Sequence, residues 1–389
     1  MSTSGSGVDG ICDDRFQPVR AVFEENFRDR GELGAAVAVT VDGRTVADLW
    51  GGWADGAGTR PWERDTLVNV WSTVKGATAL CAHLLADRGL LDLDAPVAAY
   101  WPEFAARGKD GILVHQLLSH RAGLSGLREP HSVEQLYDWE LTCARLAATE
   151  PWWEPGTRSG YHTLTYGFLV GEVVRRVSGL LPGEFLEREV AGPLGIDFTI
   201  GLPKEQWGRV AELVHPPAAD NSEQAAIFSQ LEPVALTSLT NPVVTAADAN
   251  TDAWRAAQIP AANGHATARG VAALYGIIAG RGVFEGRRLL SPEAVERLRE
   301  GQGRCRDLVL GAAFGRETEI ALGLWLSGEN GSYGPNPRAL GHDGFGGSFG
   351  MADPEAGVSI GYVMNRMGPG IADDPRKKAL VEAVYASLG

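Results

Sequence analysis

Lysine is scarce in this chain: of 35 basic residues among 389, only Lys75, Lys109, Lys204, Lys377 and Lys378 are lysines. No stretch gathers Lys and Arg into a basic patch, and the formal charge is −14. Nucleic-acid proteins draw affinity from such patches against phosphates, so no nucleic-acid partner is expected. Long apolar runs are absent too; none reaches the roughly 18 residues of a membrane span. The opening "MSTSGSGVDGICDDRFQPV" has neither a charged n-region nor an apolar h-region, so no membrane partner and a cytoplasmic location are expected. Cys12, Cys81, Cys143 and Cys305 lie far apart with no C-x-x-C pair, which points to free thiols rather than a disulfide frame or zinc site. His83, His115, His120, His215 and His265 show no metal spacing, so no metal and no cofactor is expected.

What is present reads as a folded enzyme-sized chain. Its length predicts one large or two interleaved domains. Phe16, Val19, Val22, Phe23 and Phe27 fall near a helical period, and two β-prone runs flank Asp42-Gly43, a strong hairpin signal. Helical spacing returns at Val74, Ala77, Leu80, Cys81, Leu84 and Leu85, with Gly89 near the stop. Residues 90 to about 265 mix helical stretches with Pro- and Gly-rich connections. "ALGLWLSG" and two runs around "DPEAG" then predict strands, and a last helix over 374–387 opens with Pro375. Strands at both ends with helices between predict an α/β (α+β) chain. Residues 1–75 and 266–389 form a discontinuous α/β domain, and 76–265 a mostly helical insertion. The cleft between the two is the expected small-molecule site.

Two G-x-S-x-G matches, around Ser348 and Ser359, lack the strand-turn-helix context of a nucleophile elbow. Ser72-Thr73-Val74-Lys75 is different, because it lies where a helix begins. Residues i and i+3 share one helix face, so the Lys75 amine can reach the Ser72 hydroxyl. A lysine desolvated among apolar neighbours has a lowered pKa and can take the serine proton. Arginine stays protonated and cannot. Such a pair also arises by chance, as a Ser cap followed by a surface lysine, and needs further support.

That support is a set of three motifs in order. Ser72-x-x-Lys75, Tyr161-His162-Thr163 after "WEPGTRSG", and Gly341-His342-Asp343-Gly344 before "FGGSFGMADPEAG" resemble those of class C serine β-lactamases, penicillin-binding-protein-like relatives and family VIII carboxylesterases. "LLSHRAGL" and "PAANGHATARG" resemble connecting segments of the same superfamily, and the likeness runs from about residue 15 to the C-terminus. It implies an antiparallel sheet flanked by terminal helices, with the active site between sheet and helical lobe. It further implies Ser72 as acyl-accepting nucleophile, Lys75 as its activator and Tyr161 as a second basic group, without deciding which of Lys75 and Tyr161 takes the proton. His342 would be the third-motif site residue. The backbone N–H groups of Ser72 and Phe345 would form the oxyanion hole.

The departures bear on the substrate. The β-lactamase pattern would put an amide at 163 and a lysine at 342, where Thr163 and His342 stand, so weak or no β-lactam hydrolysis is expected. Thr163, Asp343 and Gly344 are candidate pocket residues, with Trp152 and Trp153 as candidate acyl-pocket walls and residues 127–140 as a lip. The leading reading is hydrolysis of a small-molecule carboxylic ester through a Ser72 acyl-enzyme. An acyltransferase passing the acyl group from its donor to an alcohol or amine needs the same residues, and a non-catalytic binding protein on the same fold is the rival of another class. Oligomeric state is not legible.

Overall fold

Asp42 and Gly43 both adopt left-handed φ, 49° and 74°, which is what a two-residue hairpin turn between right-twisted strands requires. In the computed structural model, which describes residues 7–215, 231–311, 315, 317–368, 370 and 374–389, that turn joins strands β2 (Gly34–Val41) and β3 (Arg44–Gly52). An edge strand, β1 (Asp9–Cys12), pairs with β3. On the other side of β2 lies the last strand of the chain, β7 (Val358–Met364), in antiparallel register from Val358 opposite Val41 to Met364 opposite Ala35. The sheet continues through β6 (Phe349–Asp353), β5 (Leu340–Asp343) and β4 (Trp325–Leu326), giving the order β1-β3-β2-β7-β6-β5-β4. The termini thus build one seven-stranded antiparallel sheet.

Every residue of β7 is buried, because helices cover both faces of the sheet. Ser359 bonds the Ala272 carbonyl at 2.8 Å, toward helix α4 (Ala268–Ala279). Tyr362 points the other way, to Glu32 and the terminal helices α1 (Gln17–Asp29) and α5 (Pro375–Leu388), which pack together. Alternating side chains of one strand therefore serve two different layers. Helix α2 (Lys75–Asp87) is buried all round except for its last turn and packs against α3 (Thr165–Ser178).

"ALGLWLSG" departs from the expected strand. Only Trp325 and Leu326 pair with the sheet; Gly323 turns the chain at φ +114° and Ala321 N–H closes on the Leu324 carbonyl at 2.8 Å. A three-stranded sheet of Val68–Asn69, Gly264–Ala266 and Phe198–Ile200 was not expected either. Strands of two or three residues leave too little alternation to read. It fastens the chain before Ser72 to residues just past Ala261. All four cysteines are free thiols, and no helix among the described residues is long and apolar enough to cross a membrane.

Candidate active site

Ser72 lies in a 3-10 turn, Trp71–Val74, that runs directly into α2. The turn is entered through Trp71 at φ +47°, a left-handed conformation that a bulky residue adopts only when its surroundings impose it. Its indole packs 5.8 Å from Trp254 and 5.7 Å from Phe345, centroid to centroid. Helical spacing then sets Lys75 one turn on, with Nζ 3.0 Å from Ser72 Oγ.

The Lys75 side chain is fully buried. Its other two contacts are main-chain carbonyls, Thr163 at 2.8 Å and Ala261 at 2.9 Å, and no carboxylate pairs with it among the described residues. Burial alone holds its ammonium well below the usual lysine range. A neutral amine has two N–H bonds and one lone pair. With both N–H groups taken by carbonyls, the lone pair is left facing Ser72 Oγ.

Tyr161 stands beside the Lys75 amine, its ring centroid 4.7 Å from Nζ. Burial pushes its phenol above the usual tyrosine range, the nearby Ser72 hydroxyl pulls it back, and the carboxylates of Asp307 and Asp343 add to the rise. Asp307, which sequence reasoning missed, anchors the segment. Its Oδ1 accepts Tyr161 N–H at 3.0 Å and the N–H groups of Val309 and Leu310 at 2.8 Å each, and Oδ2 accepts the Ser159 hydroxyl at 3.1 Å. An Asp bonding N–H groups two and three residues ahead is a readable local pattern; its long-range partner is not. If Tyr161 has the basic role that the resemblance implies, Asp307→Ala should lower kcat on p-nitrophenyl butyrate by about 10²-fold with KM little changed, since a displaced reacting group costs that much. A KM rise with unchanged kcat would assign Asp307 to substrate binding instead.

His342 lies on β5 and lines the cleft. Its Nδ1 donates to the Asp343 carbonyl at 2.8 Å, so Nε2 carries the lone pair, with no partner among the described residues. Burial first, then Lys75, holds its pKa down to about 3, so the ring is neutral. Asp343 is bound through both oxygens by Lys377 of α5, at 2.6 and 2.8 Å. His162 is a strut: Nδ1 donates to Gly160 O at 2.7 Å and Nε2 accepts Leu124 N–H at 3.1 Å. His120 packs its ring 4.8 Å from that of Tyr161 and accepts His162 N–H at 3.0 Å.

Thr163 Oγ1 lies 2.8 Å from Ser238 Oγ, which itself donates toward the carbonyls of Ser125 (2.8 Å) and Tyr161 (3.0 Å). The Thr163 proton is therefore committed to Ser238, and Thr163 offers the cleft lone pairs only. Phe345 lines the cleft beside Trp71. Gly344 lies behind the wall, where a Cβ would stand 2.3 Å from the Val70 carbonyl.

The cleft measures about 1460 Å³ and includes Ser72, Tyr161, Thr163, His342, Asp343 and Phe345 in its lining. Trp152 and Trp153 do not line it, a correction to the expectation. Trp152 donates to Gly126 O at 2.9 Å under the Arg128 guanidinium; Trp153 donates to Arg158 O at 3.0 Å and stands edge-on to His162. Trp153 packs behind the Tyr161 segment, against Gly160 and His162, and Trp152 against the 123–128 stretch. Nor do any of residues 127–140, the expected lip, line the cleft; Leu239, Pro242, Val243 and Val244 do, as do residues 325–335.

The Beta-lactamase family profile matches residues 19–384. The chain belongs to the beta-lactamase family. Among its relatives, esterase/beta-lactamase LipL of Mycobacterium tuberculosis is 39% identical over 372 residues, 94% of this chain and 84% of the relative. The crystal structure of a family VIII carboxylesterase superposes with a TM-score of 0.91 at 42% identity, covering 98% of this chain and 99% of that one. A penicillin-binding protein homolog from Caulobacter crescentus gives 0.87 at 43%, with the same coverage. Beta-lactamase family members with these names share one fold, so the fold does not choose among their substrates.

Proposed function

We propose that this beta-lactamase family member is a serine carboxylesterase acting on small-molecule esters through a Ser72 acyl-enzyme. The observation that carries the reading is the Lys75 amine, buried, without a carboxylate, and bonded to Ser72 Oγ. In the proposed reaction Lys75 takes the Ser72 proton as Oγ attacks the ester carbonyl. The N–H groups of Ser72 and Phe345 hold the oxyanion. As the C–O bond breaks, the proton returns to the leaving alkoxide through the Tyr161 hydroxyl, whose ring lies beside the Lys75 amine in the cleft wall. Water then repeats the sequence on the acyl-enzyme. The opposite pKa directions of Lys75 and Tyr161 support the amine as base.

Ester rather than β-lactam specificity rests on three groups. Neutral His342 cannot hold a carboxylate as a fixed ammonium would. The Lys377 ammonium is already matched by Asp343. Thr163 presents no donor for a substrate amide carbonyl. Apolar lining residues such as Leu239, Val244, Leu310 and Trp325 suit an uncharged acyl chain.

The cleft volume favours a second reading, transfer of the acyl group to an alcohol or amine, because it exceeds the range of roughly 300–1,000 Å³ usual for one ligand. One experiment tests both. On p-nitrophenyl butyrate, mass spectrometry of the intact protein should show a butyryl adduct that water removes, and nitrocefin should turn over far more slowly than the ester. Nitrocefin turnover equal to that of the ester would overturn the esterase reading. An adduct that persists until 1-butanol or butylamine collects it would make the protein an acyltransferase; no adduct with any donor would leave a binding protein.

A further inference from the structure

Between β5 and β6 the chain makes a tight turn over Gly344, Phe345, Gly346 and Gly347. Gly344 N–H bonds the Ser348 carbonyl at 2.7 Å, and Gly347 N–H bonds the Gly344 carbonyl at 3.1 Å. The second bond decides where the Phe345 N–H points. In a trans peptide the C=O and N–H are antiparallel, so pinning the Gly344 oxygen inside the turn directs the Phe345 N–H out of it; the Phe345 ring itself packs on Trp71, the residue before Ser72.

The turn is held from beneath by Arg376 in the first turn of α5. Arg376 is 4% exposed, and all five N–H groups of its guanidinium find acceptors. Nη2 bonds the Gly346 carbonyl at 2.7 Å and Asp374 Oδ2 at 2.6 Å. Nε bonds Asp374 Oδ1 at 3.0 Å. Nη1 bonds the Arg366 carbonyl at 2.9 Å and Glu32 at 3.3 Å. Glu32, fully buried, is held in turn by the Tyr362 hydroxyl. Gly368 N–H adds a second bond to the Gly346 carbonyl, at 2.7 Å. Gly347 has φ +126°, and a Cβ there would lie 2.5 Å from both Arg376 Nη2 and Asp374 Oδ2. The glycine is what lets the turn rest on the ion cluster.

A buried charge cluster is a costly way to gain stability, and apolar residues of similar volume do as well or better. Its specific gain is geometric, because a planar fork with five donors fixes its acceptors in direction as well as distance. We propose that Arg376, oriented by Glu32 and Asp374, is a positioning residue that sets the Gly344–Gly347 turn so that the Phe345 N–H faces the oxyanion formed at Ser72. This rests on the acyl-enzyme reading above. The ion cluster joins the N-terminal segment, through Glu32, to the C-terminal helix, so both ends of the chain fix one donor.

The test is Arg376→Lys, which keeps the charge and loses the fork, with p-nitrophenyl butyrate as substrate and phenylboronic acid as tetrahedral probe. The expected result is a folded protein by circular dichroism, KM within about 2-fold of wild type, and kcat lower by about 10²-fold, the effect of losing one oxyanion donor. Phenylboronic acid should bind more weakly in parallel. Unchanged kcat and boronate affinity, or a loss confined to KM, would overturn the proposal. Should Arg376→Lys fail to fold, Glu32→Gln decides on the same two readouts. A lower kcat with KM held supports the proposal, and wild-type kcat and boronate affinity overturn it. Acyl adduct formation by Ser72→Ala would instead sink the underlying acyl-enzyme reading, so the two failures are distinguishable.

Discussion

Ser72→Ala is expected to carry no acyl adduct after exposure to p-nitrophenyl butyrate and to lose turnover by about 10⁶-fold, the order found for removing a catalytic serine. The contrast is with two other serines in G-x-S-x-G contexts. Ser348 Oγ donates to the Val70 carbonyl at 2.8 Å and Ser359 Oγ lies 2.8 Å from Ala272 O and 2.7 Å from Thr40 Oγ1. Both are buried with their bonding satisfied inside the protein. Ser348→Ala and Ser359→Ala should each cost about 1 kcal/mol of stability, the worth of a hydrogen bond, and leave substantial turnover. A dead Ser359→Ala beside an active Ser72→Ala would move the chemistry elsewhere.

Lys75→Arg should fail almost as badly as Lys75→Ala, each losing roughly 10² to 10⁴-fold in kcat/KM, the range for general acid-base catalysis. Arg cannot give up its proton, and the Lys75 site has no exposed edge into which a guanidinium could extend. Because burial lowers the Lys75 pKa, the neutral amine is reached as pH rises through that lowered value, so the acylation rate should climb with pH and this limb should be missing in Lys75→Arg. The same shift has a thermodynamic sign. The unfolded chain binds the proton up to pH 10.5 while the folded chain has already lost it, so stability should rise with pH between the lowered value and 10.5. Urea midpoints at pH 7 and pH 9 should show that rise in wild type and a smaller one in Lys75→Met. Equal slopes would mean that the folded protein keeps the ammonium.

The parts of the fold that could be read ahead are those with a local cause. The Asp42-Gly43 hairpin, the buried α2 and the Pro375 start of α5 each announce themselves in a few residues. Ser72 and Lys75 are legible for the same reason, since one helical turn brings them together. Asp307, Ser238 and Arg376 are not, because each acts on a partner far along the chain. The carbonyls of Thr163 and Ala261 leave no trace at all, as every residue has one and side-chain identity says nothing of where it points. Trp152 and Trp153 stand close to Tyr161 in sequence, yet the fold turns Trp153 onto the rear of that segment and Trp152 toward Gly126 and Arg128, away from the cleft. Residues 127–140 bury Leu127 and Leu136 instead of edging the cleft, and the stretch that lines it, 239–245, spans the end of a short helix and the Asn241-Pro242 step with too little pattern to mark it.

The two carbonyls that hold Lys75 belong to residues 88 and 186 positions further along the chain. A partly assembled molecule can have its helix α2 and still lack the desolvated amine, since water replaces the missing carbonyls and the ammonium keeps its ordinary proton. The proposed reactivity of Ser72 would therefore be a property of the finished chain and of no fragment of it. In refolding, a burst of p-nitrophenolate counts completed molecules, one released per active centre, where circular dichroism also counts those that have only their helices.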